Sequence, residues 1–207
     1  AGADLTILSS TNSIYDAAAA MHGNVKAIKC DISDASAVTA ALAGINRLDV
    51  LINNAGLEKP TPLSGTNPSG DATFERVIAI NVNGTRNVTD SLINRIPNQG
   101  RIIITSSIWG KTAVGGFSAY VASKHANVGL MRTWAKELGP RGICVNAICP
   151  GWVRTGPAMS SLGDLARTQG TSQESLLAEI MSAQAIDGLM TPEDMAETYM
   201  FLASEGG

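Results

Sequence analysis

Cysteine, histidine and aromatic residues are scarce in this chain, and each scarcity narrows what it can be. Three cysteines (Cys30, Cys144 and Cys149) in 207 residues cannot build the disulfide framework of a small secreted module. All three lie in or beside apolar runs, so they are expected as buried strand thiols. Two histidines and no CxxC pair offer no ligand spacing, and no metal is expected. Runs of Lys or Arg are also missing. With a net charge of -3, neither nucleic acid nor an anionic membrane is an expected partner. No apolar stretch approaches the ~18 residues of a membrane span, and no signal-peptide pattern opens the chain. The expected compartment is the cytoplasm.

What is present is a hydrophobic fraction of 44%, enough to bury the core of one α/β domain. Short β-branched runs alternate with longer helical patterns, which predicts a doubly wound parallel sheet with crossover helices. Strands are expected at Leu5–Leu8, Val25–Cys30, Leu48–Ile52, Arg101–Thr105 and Ile143–Ile148. Helices are expected at Ile14–Met21, Ser36–Ala43, Phe74–Ile96, Ala119–Leu138 and Gln173–Ala183. Gly139-Pro140 should end the fourth of these, because proline cannot continue the ladder. Thr191-Pro192-Glu193-Asp194 reads as a helix start, with a capping hydroxyl, proline in the first turn and acids at the positive dipole end. Lys59–Asp71, rich in proline and glycine, reads as an exposed insertion, and Gly156–Gly170 as a flexible stretch. No repeat or linker divides residues 1–207, so one domain is expected.

Tyr120 and Lys124 stand four apart at the start of a predicted helix, which puts both on one face. Ser107 follows an apolar strand, at the edge where a parallel sheet presents its ligand site. Asn53-Asn54-Ala55-Gly56 and Cys149-Pro150-Gly151 end two further strands at that edge. The segments LDVLINNAG (48–56), INVNG (80–84), IIITSS (102–107), AYVASK (119–124) and VNAICPGWVRT (145–155) occur in the order and spacing of the short-chain dehydrogenase/reductase family. The chain resembles that family from Gly2 to about Glu205. Within it, the chain looks most like the bacterial 3-hydroxybutyrate dehydrogenase and 3-oxoacyl reductase branch.

The resemblance implies a Rossmann-like fold and hydride transfer between a nicotinamide dinucleotide and a carbonyl or secondary alcohol. It implies Tyr120 as general acid/base, with Lys124 lowering its pKa and bonding the nicotinamide ribose. Ser107 would hold the substrate oxygen, and Asn81 a water that connects Lys124 to solvent. On the cofactor side it implies Asp31 and Ile32 at the adenine edge, and Asn53, Ala55 and Gly56 near the adenosine ribose. Pro150, Gly151, Val153 and Thr155 would line the nicotinamide. After the strand Leu5–Leu8, Ser9 and Ser10 stand where an NAD site offers a carboxylate, so neutral donors favour NADP over NAD. The branch carries histidine and glutamine where this chain has Trp109 and Glu58. A small hydroxy acid is therefore not expected. Glu58, Trp109 and Trp152 suit a neutral or polyhydroxylated substrate, a cyclic or aromatic alcohol stacking on indole.

The resemblance also implies a homodimer or homotetramer paired through the helices of 74–96 and 119–138. It implies a glycine-rich turn on a strand between Leu5–Leu8 and Leu48–Ile52, and a final strand. Neither occurs in these 207 residues, so the expectation is a chain truncated at both ends. The alternative to an enzyme is a non-catalytic dinucleotide sensor or scaffold on the same fold.

Overall fold

The computed structural model describes residues 2–63, 70–186 and 188–207. The β-branched runs form five parallel strands. β1 (Leu5–Ser9) pairs with β2 (Val25–Lys29), in register from Leu5↔Val25 to Ser9↔Lys29. The second sheet has β4 (Arg101–Thr105) at its centre, between β3 (Val50–Asn53) and β5 (Cys144–Ile148). Ile102, Ile103 and Ile104 of β4 are each 0% exposed, as a strand covered on both faces requires. Among the described residues no hydrogen bond joins β1 to β3, in keeping with the expectation that they are not neighbours. Each lies at a sheet edge and carries a partly exposed apolar residue, Leu5 or Ile52.

The helices are α1 (Ser13–Ala20), α2 (Ala35–Leu42), α3 (Gly70–Ile78), α4 (Thr85–Leu92), α5 (Ser118–Leu138), α6 (Gly156–Gln169), α7 (Gln173–Ser182) and α8 (Pro192–Ala203). One apolar cluster takes Ile32 from beyond β2, Val38 and Leu42 from α2, Leu51 from β3, Val88 and Leu92 from α4, and Ile102 and Ile104 from β4. Met131, Trp134 and Leu138 of α5 pack on it, one helical stripe at spacings of three and four. A smaller cluster joins α6 to α7 through Leu162, Ala166 and Leu176, with Trp152 against it. No helix of the described residues is long and apolar enough to cross a membrane.

Three segments depart from the expectations of the sequence. The helix expected over Phe74–Ile96 is interrupted by a π-turn at Ala79–Gly84, then ends in a 3-10 turn at Ile93–Arg95. A π-turn inserts a residue into the helical frame and rotates the residues beyond it. Here it carries Asn81 into the interior, 0% exposed, where tertiary hydrogen bonds hold it. Gly156–Gly170, expected to be flexible, is mostly helix α6. Thr155 caps it through Ala158 N, Pro157 sits in its first turn, and Gly170 closes it at φ 68°. Burial of Leu162 against α7 outweighs the low helix propensity of Gly156 and Gly163. Cysteines depart too: Cys30 is buried, while Cys144 and Cys149 are only half-buried, and all three are free.

The third segment is Lys59–Asp71, expected as an exposed insertion. Gly65 and Pro68 lie outside the described residues, but Thr61 is buried at 4% exposure. Its Oγ1 accepts from Ala119 N at 2.9 Å, its carbonyl accepts from Ser118 Oγ at 2.7 Å, and its N–H donates to Gly116 O at 2.7 Å. Phe117, at the N-cap of α5, has no side chain to do this work. Thr61 thus caps the helix from another loop, one residue before Tyr120. Thr61→Ala should lose about 1 kcal/mol of stability in urea denaturation, the usual worth of a capping hydroxyl. Thr61→Ser should restore most of it, and an alanine variant as stable as the parent would show the cap idle.

Candidate active site

The site grows from the exit of β4. The sheet ladder continues past its end, with Ser106 N donating to Ile148 O at 2.8 Å and Ile108 N to Pro150 O at 2.7 Å. Ser107 is held between these bonds in extended backbone, and its Oγ accepts from Trp109 N at 3.2 Å to cap the 3-10 turn Ile108–Gly110. Helix α5 lies against this exit. Ser106 Oγ donates to Lys124 O at 2.8 Å, and a Cβ at Gly110 would come within 2.8 Å of the same carbonyl. Only glycine admits that approach. Lys124 Nζ donates to Thr105 O at 2.9 Å and sits 5.4 Å from the Tyr120 ring centroid.

Asn81 closes the site from behind. Its Oδ1 accepts from Leu57 N at 2.7 Å, and its Nδ2 donates to Leu57 O and to Ser123 Oγ, both at 2.9 Å. Ser123 Oγ in turn donates to Tyr120 O at 2.7 Å. The loop after β3 and the first turns of α5 are therefore fixed to each other through one buried amide. Gly56 sits in this loop, where an added Cβ would lie 3.4 Å from Asn81 Oδ1 and 3.5 Å from Lys124 Nζ.

These groups meet at a cleft of about 390 Å³. Ser107, Tyr120 and Lys124 line it, as do Glu58, Trp109 and Trp152. Burial and the charge of Glu58 push the Tyr120 phenol up to about 12, against a smaller downward pull from a hydrogen bond with Ser107. Burial pulls the Lys124 ammonium down to about 8, opposed by the electrostatic influence of Glu58 and, to a smaller extent, of Cys149. The expectation that Lys124 lowers the phenol is thus overturned in this state. Desolvation dominates, and Glu58 stabilises the protonated phenol. Glu58 is itself raised by burial, partly offset by a hydrogen bond with Ser161 of α6 and by Lys124.

The residues expected at the dinucleotide divide into two groups. Gly56, Tyr120, Lys124, Pro150, Gly151, Val153 and Thr155 all line the cleft. Val153 is held by a bridge to Met190, and Thr155 spends its hydroxyl on capping α6. The others lie elsewhere. Asn53 is buried, with Nδ2 on Thr89 Oγ1 at 3.0 Å, and Ala55 is exposed on the loop beyond it. Asp31 accepts hydrogen bonds from Ser33 and, at 2.6 Å, from Arg76, and these, Ser33 foremost, hold its carboxyl below the usual range. Ile32 belongs to the core, and its carbonyl accepts from Asn87 Nδ2 at 3.0 Å. Ser9 ends β1 and Ser10 follows it, exposed, with Ser9 Oγ 3.3 Å from Thr11 Oγ1 and that atom 2.7 Å from Ser13 Oγ.

A family model described as enoyl-(acyl carrier protein) reductase matches residues 1–207. The short-chain reductase protein NovJ of Streptomyces niveus is 35% identical over 187 residues, 87% of this chain and 68% of that protein. The D-beta-hydroxybutyrate dehydrogenase of Rhizobium meliloti is 33% identical over 178 residues, covering 84% and 67%. Levodione reductase superposes with a TM-score of 0.86 at 26% identity, over 99% of this chain and 82% of that one. The chain belongs to the short-chain dehydrogenase/reductase family. As a member it is an oxidoreductase of CH–OH or carbonyl carbons, working with a nicotinamide dinucleotide.

Four residues that line the cleft of this short-chain dehydrogenase/reductase, and a fifth that acts on Glu58, were missed in its sequence. Pro192, Met195 and Tyr199, one face of α8, form a wall of the cleft. Their spacing of three and four was legible, but nothing in the sequence said what that face meets. Thr105 contributes its carbonyl, which no side-chain pattern announces. Ser161, on a segment expected to be flexible, reaches Glu58. The electrostatics are testable directly. Glu58's charge raises both Tyr120 and Lys124, so Glu58→Gln should lower both. Carbon-13 titration of the Tyr120 ring is the measurement, and an unmoved midpoint would separate Glu58 from the phenol.

Proposed function

We propose that residues 1–207 act as one dinucleotide-binding unit, with Tyr120 as the acid/base of carbonyl reduction or alcohol oxidation. Ser107 holds the substrate oxygen, Lys124 holds the nicotinamide ribose and returns protons, and Asn81 positions a water behind Lys124. The observation that carries this reading is the convergence of Ser107, Tyr120 and Lys124 on one cleft.

The residues present fit a nicotinamide nucleoside. Lys124 has three N–H donors and gives one to Thr105 O, which leaves two for ribose hydroxyls. The position that Gly56 leaves without a Cβ lies near both Asn81 Oδ1 and Lys124 Nζ, which supports a bridging water there. When bound, the nicotinamide supplies or accepts the hydride. Everything else falls to side chains. In reduction, Ser107 Oγ donates to the carbonyl oxygen and Tyr120 gives its proton as negative charge develops there. With its pKa pushed up to about 12, the phenol is protonated at neutral pH, the form that reduction requires of a proton donor. Lys124, pulled down to about 8, can pass a proton toward Tyr120 under the same conditions. A non-catalytic sensor would have no use for this proton chain.

The neutral hydroxyls of Ser9, Thr11 and Ser13 support NADP as the dinucleotide, since they offer donors and no repelling carboxylate. Asp31 and Ile32 are the residues for the adenine side. Glu58 beside Trp109 and Trp152 supports a neutral substrate, polyhydroxylated or a cyclic or aromatic alcohol, and argues against a small hydroxy acid that Glu58 would repel.

Tyr120→Phe should lower kcat by roughly 10²–10⁴-fold, the span of a positioned acid/base, while dinucleotide binding stays close to the parent's. A variant keeping a tenth or more of parental kcat would sink the assignment. A panel of alcohols and ketones, run with both dinucleotides, should show higher kcat/KM for neutral substrates and for NADP. Glu58→Gln combined with Trp109→His should shift the panel toward small hydroxy acids. Unchanged ratios would place both side chains outside substrate selection.

A further inference from the structure

The end of β4 is gripped from both faces of its sheet. Side chains alternate along a strand. Ile102 and Ile104 point into the cluster covered by Met131 and Trp134 of α5, and Thr105 points to the opposite face. There its Oγ1 meets Tyr199 Oη of α8 at 2.6 Å, a bond between partly buried groups. The carbonyl of the same residue accepts Lys124 Nζ at 2.9 Å from α5. Thr105 and Tyr199 both line the catalytic cleft. The tyrosine hydroxyl therefore fixes the residue whose backbone fixes the lysine.

The geometry points to Tyr199 as a positioning residue for Lys124, acting through Thr105. Without its hydroxyl, Thr105 regains rotamer freedom, and its peptide carbonyl is held toward the ammonium only by the ladder bond from Ser106 N to Ile148 O in the same peptide plane. A hydrogen bond to the charged form stabilises that form, so a loosened carbonyl makes the ammonium easier to deprotonate. The groups acting on Lys124 come from every element around it. Glu58 lies on the loop after β3, Tyr120 on α5 itself, and Cys149 at the end of β5. Tyr199 Oη bonds Thr105 Oγ1 and Lys124 Nζ bonds Thr105 O, with no hydrogen bond between the two among the described residues, and Tyr199 contributes no charge below its own raised pKa. Its effect on the lysine must pass through Thr105.

The test tracks the Lys124 ε-carbon by NMR across the alkaline range in full-length protein carrying ¹³Cε-lysine, the signal assigned from Lys124→Arg. Tyr199→Phe keeps the ring and its packing. It should lower the Lys124 midpoint by about half a pH unit, the direction expected when a bond to the charged form weakens. Thr105→Val should do the same, and the double variant should go no further than either single one, because the two act through one bond. Thr105→Ser keeps the hydroxyl and should keep the parental midpoint, which holds the test open if the valine variant fails to fold. A parental midpoint in Tyr199→Phe, whatever happens to its Tm, would overturn the inference and leave Tyr199 as packing. So would additive shifts in the double variant. The proposal rests on Lys124 serving the reaction, but this readout needs no substrate. Failure of the catalytic reading would instead show in Tyr120→Phe turnover.

Discussion

Lys124 is 4% exposed, and its ammonium is bonded to the last carbonyl of the central strand. Burying a charge without partners costs several kcal/mol, and the surroundings are arranged to limit that cost. Thr105 O accepts one N–H hydrogen bond, Glu58 supplies opposing charge, and the ring centroid of Tyr120 lies 5.4 Å away. Compensation is partial, because burial still brings the group down to about 8. A lysine so poised is mostly protonated at neutral pH yet close enough to its midpoint to lose a proton readily. A fully solvated lysine, near 10.4, would hold its proton more tightly. Under the proposed mechanism, incomplete compensation is what would give the buried ammonium a part in proton traffic.

Holding that ammonium in place requires a rigid frame, and a line of buried polar groups supplies it. Asn53 Nδ2 donates to Thr89 Oγ1, and the hydroxyls of Thr89 and Thr85 donate to the carbonyls of Thr85 and Asn81. Asn81 continues the line to Ser123, and Ser123 to the carbonyl of Tyr120. The end of β3, helix α4, the π-turn and α5 are joined through this one series. Threonine hydroxyls that bond four residues back loosen and bend a helix, and the Thr85 hydroxyl at the start of α4 bonds the Asn81 carbonyl in the π-turn just before it. An apolar substitution anywhere along it would strand a buried donor or acceptor, at roughly 1–3 kcal/mol for each group left unpaired.

What the sequence revealed and what it concealed divide along physical lines. Strand positions came from β-branched runs, and β4 matches its expected Arg101–Thr105 limits because burial on both faces writes a continuous apolar signal. Ser107, Tyr120 and Lys124 were legible because chemistry fixes their residue types. The π-turn was not, since one inserted residue leaves the apolar period of 74–96 nearly intact while rotating Asn81 inward. Helix α6 hid behind Gly156 and Gly163, although Thr155, Pro157 and Gly170 mark both its ends. Thr61 and Tyr199 were invisible for a different reason. Their importance lies in a partner distant in sequence, and no local pattern encodes which surface a hydroxyl will meet. The sign of the Tyr120 shift was missed likewise, because proximity to Lys124 could be counted from spacing but the desolvation of the cleft could not.

Glu58 ties these themes together. It lies on the loop that Asn81 fixes, bonds Ser161 on the helix that sequence alone did not reveal, and lines the cleft with Tyr120. Its charge raises the phenol and the ammonium alike, so one carboxylate keeps both protons in place until the reaction draws on them. Under the proposed mechanism the same charge acts on the substrate. A second anion bound beside Glu58 would meet its repulsion and would raise the phenol further, making proton release harder at the moment it is needed. A neutral alcohol or ketone disturbs neither group. Under that mechanism acid strength and substrate charge would both be set by one side chain, and a change that admits anions at Glu58 would also alter the acid that serves them.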